Sequence, residues 1–160
     1  MRQVCNILSK IVSISEAKNI IEDWKKNNQK VVFTNGCFDI IHKGHIFYLA
    51  KSKELGEKLV VGLNSDSSVK SIKGEGRPIK EQESRALTLA AFSFVDMVVV
   101  FNEDTPKNLI SELLPNILVK GKDYSEDQIV GADVVKKNGG FVKTIDLEKG
   151  FSSTNYINRI

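Results

Sequence analysis

Five short apolar runs recur along the chain, at 30–34, 58–63, 97–101, 117–119 and 141–145. Each is continuous rather than alternating, so both faces of each predicted strand need a cover. Stretches with helical spacing separate them. Ala17, Ile20, Ile21 and Trp24 recur at helical intervals over 16–26, and Ser13 and Glu16 stand at capping-box spacing ahead of them. Further helices are expected at 44–55 with Gly56 as the stop, after a cap at Asn64-Ser65-Asp66, and at 81–94. Others are expected with Pro106 in the first position behind Asp104 or Thr105, at 127–137, and after Ser152. The alternation predicts an α/β fold, a doubly wound parallel sheet with helices on both faces. Ligands of such sheets bind beyond the carboxyl ends of the strands. The loops to inspect are therefore 35–42, 64–66, 101–104, 120–124 and 148–153.

A chain of 160 residues suits one domain, which buries roughly 70% of its unfolded surface. Its 41% hydrophobic and 27% charged residues are those of an ordinary soluble protein. The net charge of +3 is too weak to argue for nucleic acid and is compatible with small anionic ligands. No run reaches membrane-spanning length. Arg2, Asn6 and Lys10 interrupt the N-terminal stretch, so it does not read as a signal peptide. The two cysteines, Cys5 and Cys37, form no C-x-x-C pair. The expectation is a reduced, cytoplasmic protein with no membrane partner.

Both histidines lie in the segment Gly36-Cys37-Phe38-Asp39-Ile40-Ile41-His42-Lys43-Gly44-His45, between a predicted strand and a predicted helix. Gly36 allows a sharp turn and close approach of a ligand. Backbone N–H groups there and at the helix start can face an anion. His42 and His45 share a face if the first turn is formed, and Gly44 leaves that face open. Bound phosphate would favour their charged form. Other readings stand beside this one. The histidines with Asp39 could bind a metal, they could be ordinary part-buried residues, or Cys37 could be a nucleophile with His42 as its base.

His42-Lys43-Gly44-His45 resembles the H-x-G-H motif of a nucleotidyltransferase superfamily, also called cytidylyltransferase-like. The superfamily's second hallmark is a serine/threonine-rich helix start ending in arginine. Its counterpart here is Phe151-Ser152-Ser153-Thr154-Asn155-Tyr156-Ile157-Asn158-Arg159. Taken alone that stretch also suits a plain helix cap. Hydroxyls and free N–H groups at a helix start receive phosphate oxygens, and a guanidinium can clamp them. Closer still, Thr34 to Asp39, Val61 to Asp66, Lys73 to Pro78, Glu103 to Pro106 and Leu118 to Tyr124 are similar to the heptose 1-phosphate adenylyltransferases. One departure is Lys122, where that pattern has glycine.

The resemblance implies a Rossmann-like nucleotidyltransferase fold and a single domain over 1–160, with 1–29 a helical extension and 30–160 the catalytic core. It implies transfer of AMP from ATP to D-glycero-β-D-manno-heptose 1-phosphate, giving ADP-heptose for lipopolysaccharide and releasing pyrophosphate. His42, His45 and Lys120 would be catalytic. Asn35, Gly36, Cys37, Phe38, Asp39, Gly44, Gly121, Asp123, Tyr124, Ser152, Ser153, Thr154 and Arg159 would bind nucleotide. Asn64, Asp66, Lys73 and Arg77 would lie on the sugar-phosphate side, although Lys73 and Arg77 also suit a solvated basic loop. Mg²⁺ would come with ATP, since no carboxylate cage is visible. The family often joins this domain to a sugar kinase. This chain has no room for one, so a stand-alone enzyme is expected, with a homo-oligomer left open as its assembly. A cytidylyltransferase for glycerol 3-phosphate shares both motifs. It usually has an arginine ahead of the second, which is missing from Leu147-Glu148-Lys149-Gly150-Phe151. A non-catalytic nucleotide-binding module would need the glycine turn without the two histidines.

Overall fold

The computed structural model describes residues 1–122 and 128–146. Among these the elements run α1 (Arg2–Leu8), β1 (Ile11–Val12), α2 (Ile14–Lys26), β2 (Val31–Gly36), α3 (Lys43–Lys53), β3 (Lys58–Asn64) and α4 (Asp66–Lys73). They continue with α5 (Gln82–Ala90), β4 (Met97–Phe101), α6 (Lys107–Leu113), β5 (Ile117–Gly121), α7 (Ala132–Lys137) and β6 (Phe141–Ile145). The strands form one six-stranded sheet in the order β1-β4-β3-β2-β5-β6, and every described pairing is parallel. The doubly wound expectation therefore holds. From β2 the chain runs outward through β3 and β4 on one side, with β1 added at that edge, and through β5 and β6 on the other, which makes the β2/β5 boundary the topological switch point where such sheets bind ligands.

The continuous apolar runs are explained by cores on both faces. Phe33, Val60, Val99 and Leu118 pack one face against Ala17 and Ile21 of α2, Leu109, Ile110 and Leu113 of α6, and Val135 of α7. Val32, Leu59, Val61, Val98 and Val119 pack the other against Tyr48 and Leu49 of α3 and Ala86, Leu89 and Ala90 of α5. The capping box of α2 forms as read: Glu16 N donates to Ser13 Oγ at 3.3 Å and Ser13 N donates to Glu16 Oε2 at 2.8 Å. Gly56 follows the end of α3, but its need is spatial. A Cβ there would come within 2.8 Å of the Lys30 carbonyl.

Several element boundaries differ from expectation. α5 ends at Ala90 rather than at Phe94. Phe92 and Phe94 leave the helix to pack on the core, and Asp96 N donates to the Leu59 carbonyl at 3.0 Å, which delivers β4 into register with β3. Pro106 is the N-cap of α6 rather than its first residue. α7 begins at Ala132 after Gly131 in the left-handed region, φ 87°, while residue 127 lies outside the described residues. The segment before β2 is not purely helical, because β1 adds an edge strand to β4.

Candidate active site

β2 reaches the carboxyl edge at Gly36, and the chain must turn there to enter α3. The turn is made by Phe38, at φ 45°, and not by Gly36 as its glycine suggested. A non-glycine residue in this region is held only by its surroundings. Phe38 is buried, and its ring lies over Gly36, where a Cβ would come within 3.1 Å of the ring. The same ring meets His45 edge-on, with centroids 5.4 Å apart. Gly36 thus leaves room for a ring packed closely on the backbone.

His42 is the N-cap of α3, and Gly44 is buried in its first turn. The His42 and His45 rings stack at 3.9 Å with planes 29° apart, so the two share a face. Burial pushes His42 below its ordinary value. Burial, followed by the charges of His42 and Lys73, pushes His45 down to about 4. At neutral pH His45 is therefore a neutral imidazole in the free protein. Its Nδ1 is buried and has no hydrogen-bond partner among the described residues.

Across the switch point Lys120, near the end of β5, donates from Nζ to Asn35 Oδ1 at 2.6 Å. This contact joins two residues 85 positions apart on adjacent strands. Gly121 closes β5, paired with Ile145. Asp123, Tyr124, Ser152, Ser153, Thr154 and Arg159 lie outside the described residues.

The loop between α4 and α5 closes onto the β2–α3 turn. Asp39 is 1% exposed and accepts from Arg77 Nε at 2.7 Å, Ile79 N at 2.9 Å and Lys80 N at 3.0 Å. Burial alone would raise this carboxyl, but the Lys80 and Ile79 amides and Arg77 outweigh it and hold the pKa below the ordinary value. Asp39, expected as a nucleotide contact, uses both oxygens to pin one loop to another. It joins no metal cluster either: no group of three or more His, Cys, Asp or Glu side chains gathers among the described residues. The Cys37 thiol is pushed up by burial, against the pull of Lys73, Arg85 and Arg77. It stays protonated at neutral pH, which does not suit a nucleophile.

Arg85 on α5 is the residue that sequence reasoning missed. It is 0% exposed. Its Nε donates to the Lys80 carbonyl at 2.9 Å, and Nη1 donates to the Cys37 and Asn64 carbonyls at 2.6 and 2.8 Å. Nη2 donates to Asp66 Oδ1 at 2.7 Å. One guanidinium thereby ties together the loops after β2, after β3 and before α5. The available signal was a charge on the helix face otherwise made of Ala86, Leu89 and Ala90. Asn64 and Asp66, expected on the substrate side, serve this framework. Asn64 is buried and donates from Nδ2 to Ser68 Oγ at 2.9 Å, and Asp66 pairs with Arg85. Lys73 is exposed at the end of α4, near enough for its charge to act on both Cys37 and His45.

A family profile described as cytidylyltransferase-like matches residues 33–159. The chain belongs to the cytidylyltransferase-like family. Among curated relatives of this cytidylyltransferase-like chain, the "Bifunctional protein HldE" of Campylobacter jejuni subsp. jejuni serotype O:2 is 59% identical over 147 residues, covering 92% of this chain and 31% of that protein. The protein of the same name from Campylobacter concisus is 53% identical over 155 residues, covering 97% of this chain and 32% of that protein. The chain thus spans about a third of the length of these relatives. A solved "lipopolysaccharide core biosynthesis protein" of Thermoplasma volcanium is similar with TM-score 0.62 and 31% identity, over 77% of this chain and 99% of that one. A pantoate-beta-alanine ligase of Francisella tularensis, at 18% identity and TM-score 0.65 over 92% of this chain and 72% of that one, shares the fold.

Proposed function

We propose that the chain is an adenylyltransferase that moves AMP from ATP to D-glycero-β-D-manno-heptose 1-phosphate. The single observation that carries this reading is the stacked His42–His45 pair at the start of α3, 3.9 Å apart, beside the Lys120–Asn35 contact at the switch point. Similarity over nearly the whole chain to proteins named HldE, and to a protein titled for lipopolysaccharide core biosynthesis, supports the sugar acceptor.

The acceptor's phosphate is already largely ionised at neutral pH, with a second pKa of about 6. Its oxygen attacks the α-phosphorus, the bond to the bridging oxygen breaks, and pyrophosphate leaves with the electron pair. No general base is needed, and positioning with charge neutralisation supplies the rate. Neutral imidazoles donate through N–H, and a triphosphate beside them raises their pKa, so that they carry positive charge where negative charge develops. Lys120 and the N–H groups of the β2–α3 turn hold the nucleotide. Ser153, Thr154 and Arg159 take the β- and γ-phosphates.

ATP-dependent nucleotidyl transfer uses a divalent metal, for which Mg²⁺ is the candidate. The described residues form no cage for it, so it comes as part of the nucleotide substrate and none of the steps above depends on a protein-bound ion. The place of work is the cytoplasm, where ATP is available. Among the described residues no helix is long and apolar enough to cross a membrane.

Pyrophosphate release with ATP or CTP, crossed with heptose 1-phosphate or glycerol 3-phosphate, tests the reading. ATP with heptose 1-phosphate should be the fastest pair by at least tenfold. Faster release from CTP with glycerol 3-phosphate would replace it with the cytidylyltransferase reading.

A further inference from the structure

We propose that Arg77, held in place by the buried carboxylate of Asp39, recognises the phosphate of the acceptor substrate through its Nη2 group. The inference rests on the group-transfer reading of the site and adds to it the residue that selects a phosphorylated acceptor.

Arg77 is fixed at one end and unpaired at the other. Its Nε donates to Asp39 Oδ2 at 2.7 Å, and Asp39 is 1% exposed. The same carboxylate accepts the Ile79 and Lys80 amides at 2.9 and 3.0 Å, so neither partner is free to rotate. Nη2 is buried and has no hydrogen-bond partner among the described residues. A guanidinium N–H withdrawn from water with no acceptor is costly, and the matching acceptor for a planar, permanently charged donor is a phosphate oxygen. Arg85 does not compete for this task, since it makes four hydrogen bonds within the framework.

The position separates this phosphate from those of the nucleotide. Lys120 and Asn35 sit where β5 meets β2. Arg77 belongs to the loop that follows β3 and α4, on the other side of β2. Arg77 and Lys73 both act on Cys37, and Lys73 also acts on His45. The unsatisfied donor therefore lies beside the histidine-bearing turn, with a second cation close by. Between the two phosphate sources, the acceptor on the β3 side is the assignment.

Steady-state kinetics on Arg77→Gln, Arg77→Lys and Asp39→Asn test it. Arg77→Gln should raise the acceptor KM at least tenfold and change the ATP KM by less than twofold. Arg77→Lys should not rescue, because one ammonium cannot hold Asp39 and a phosphate in the same geometry. Asp39→Asn, which weakens the hold on Arg77 along with the Ile79 and Lys80 amide contacts, should raise the acceptor KM with the ATP KM unchanged. Equal rises in both KM values would assign the donor to nucleotide phosphates and overturn the proposal, as would no change in either. A second measurement uses the unaltered chain and needs neither turnover nor a variant that folds. Titration with inorganic phosphate, without ATP, should move the Arg77 Nε–H resonance in a side-chain ¹H–¹⁵N spectrum, and an unmoved resonance would overturn the proposal. A moved resonance together with no pyrophosphate from heptose 1-phosphate would leave the phosphate site standing and reject the heptose acceptor.

Discussion

His42 and His45 stack at 3.9 Å, and that closeness decides their chemistry. Burial penalises the charge of either ring, and two imidazolium rings so placed also repel, so the free protein keeps His45 neutral with a pKa of about 4. In the unfolded chain it returns to about 6.5. The unfolded state then binds more protons between pH 4 and 6.5, and stability falls as the pH is lowered through that window. Full loss at the acid end should be roughly 1–3 kcal/mol from this residue. Urea unfolding at pH 7, 6, 5 and 4 should show the decline, and His45→Gln should flatten it. The triphosphate reverses the balance, because its charge favours the imidazolium. His45→Ala should therefore lower turnover at least tenfold, about 1.4 kcal/mol or more in the barrier, with an unchanged circular dichroism spectrum. Near-normal pyrophosphate release would remove the residue from the mechanism.

At the scale of elements, Arg85 of α5 does for the loops what the strands do for the sheet. Its four hydrogen bonds converge from three loops. Arg85→Met would fill most of the volume and leave the Cys37, Asn64 and Lys80 carbonyls without their donor. The expected loss is on the order of 3 kcal/mol, read as a lower urea midpoint. The terminal segment carries its own expectation: Arg159→Ala should weaken ATP use, visible as a raised ATP KM. What was legible at this scale followed a rule of periodicity or spacing. Val31 to Thr34 and Met97 to Phe101 read as strands because they are apolar on both faces, and His42 and His45 read as partners from their spacing. Arg85 was not legible, because a charge on a helix normally marks its solvent side and only the fold shows the carbonyls that receive it. The partners of Asp39 were not legible for the same reason, since they lie 38 to 41 residues away. Ile11–Val12 is too short to carry any period. The left-handed turn fell to Phe38 because a ring wedged between Gly36 and His45 holds it there.

In the molecule as a whole, strand order sets function. With β3 and β4 on one side of β2 and β5 and β6 on the other, the β2–α3 turn stands at the centre of the carboxyl edge. One flank offers Lys120 and Asn35, and the other offers the Asp39–Arg77 pair and Lys73. A turn bearing two donor rings between two basic flanks suits two phosphate-bearing substrates meeting end to end. On the proposed function adenylyl, and not phosphoryl, crosses that centre. ATP labelled on the α-phosphorus or on the γ-phosphorus, incubated with heptose 1-phosphate, tests it most directly. The α-label should enter the sugar nucleotide and the γ-label should leave in pyrophosphate. Appearance of γ-label on the sugar with release of ADP would contradict it.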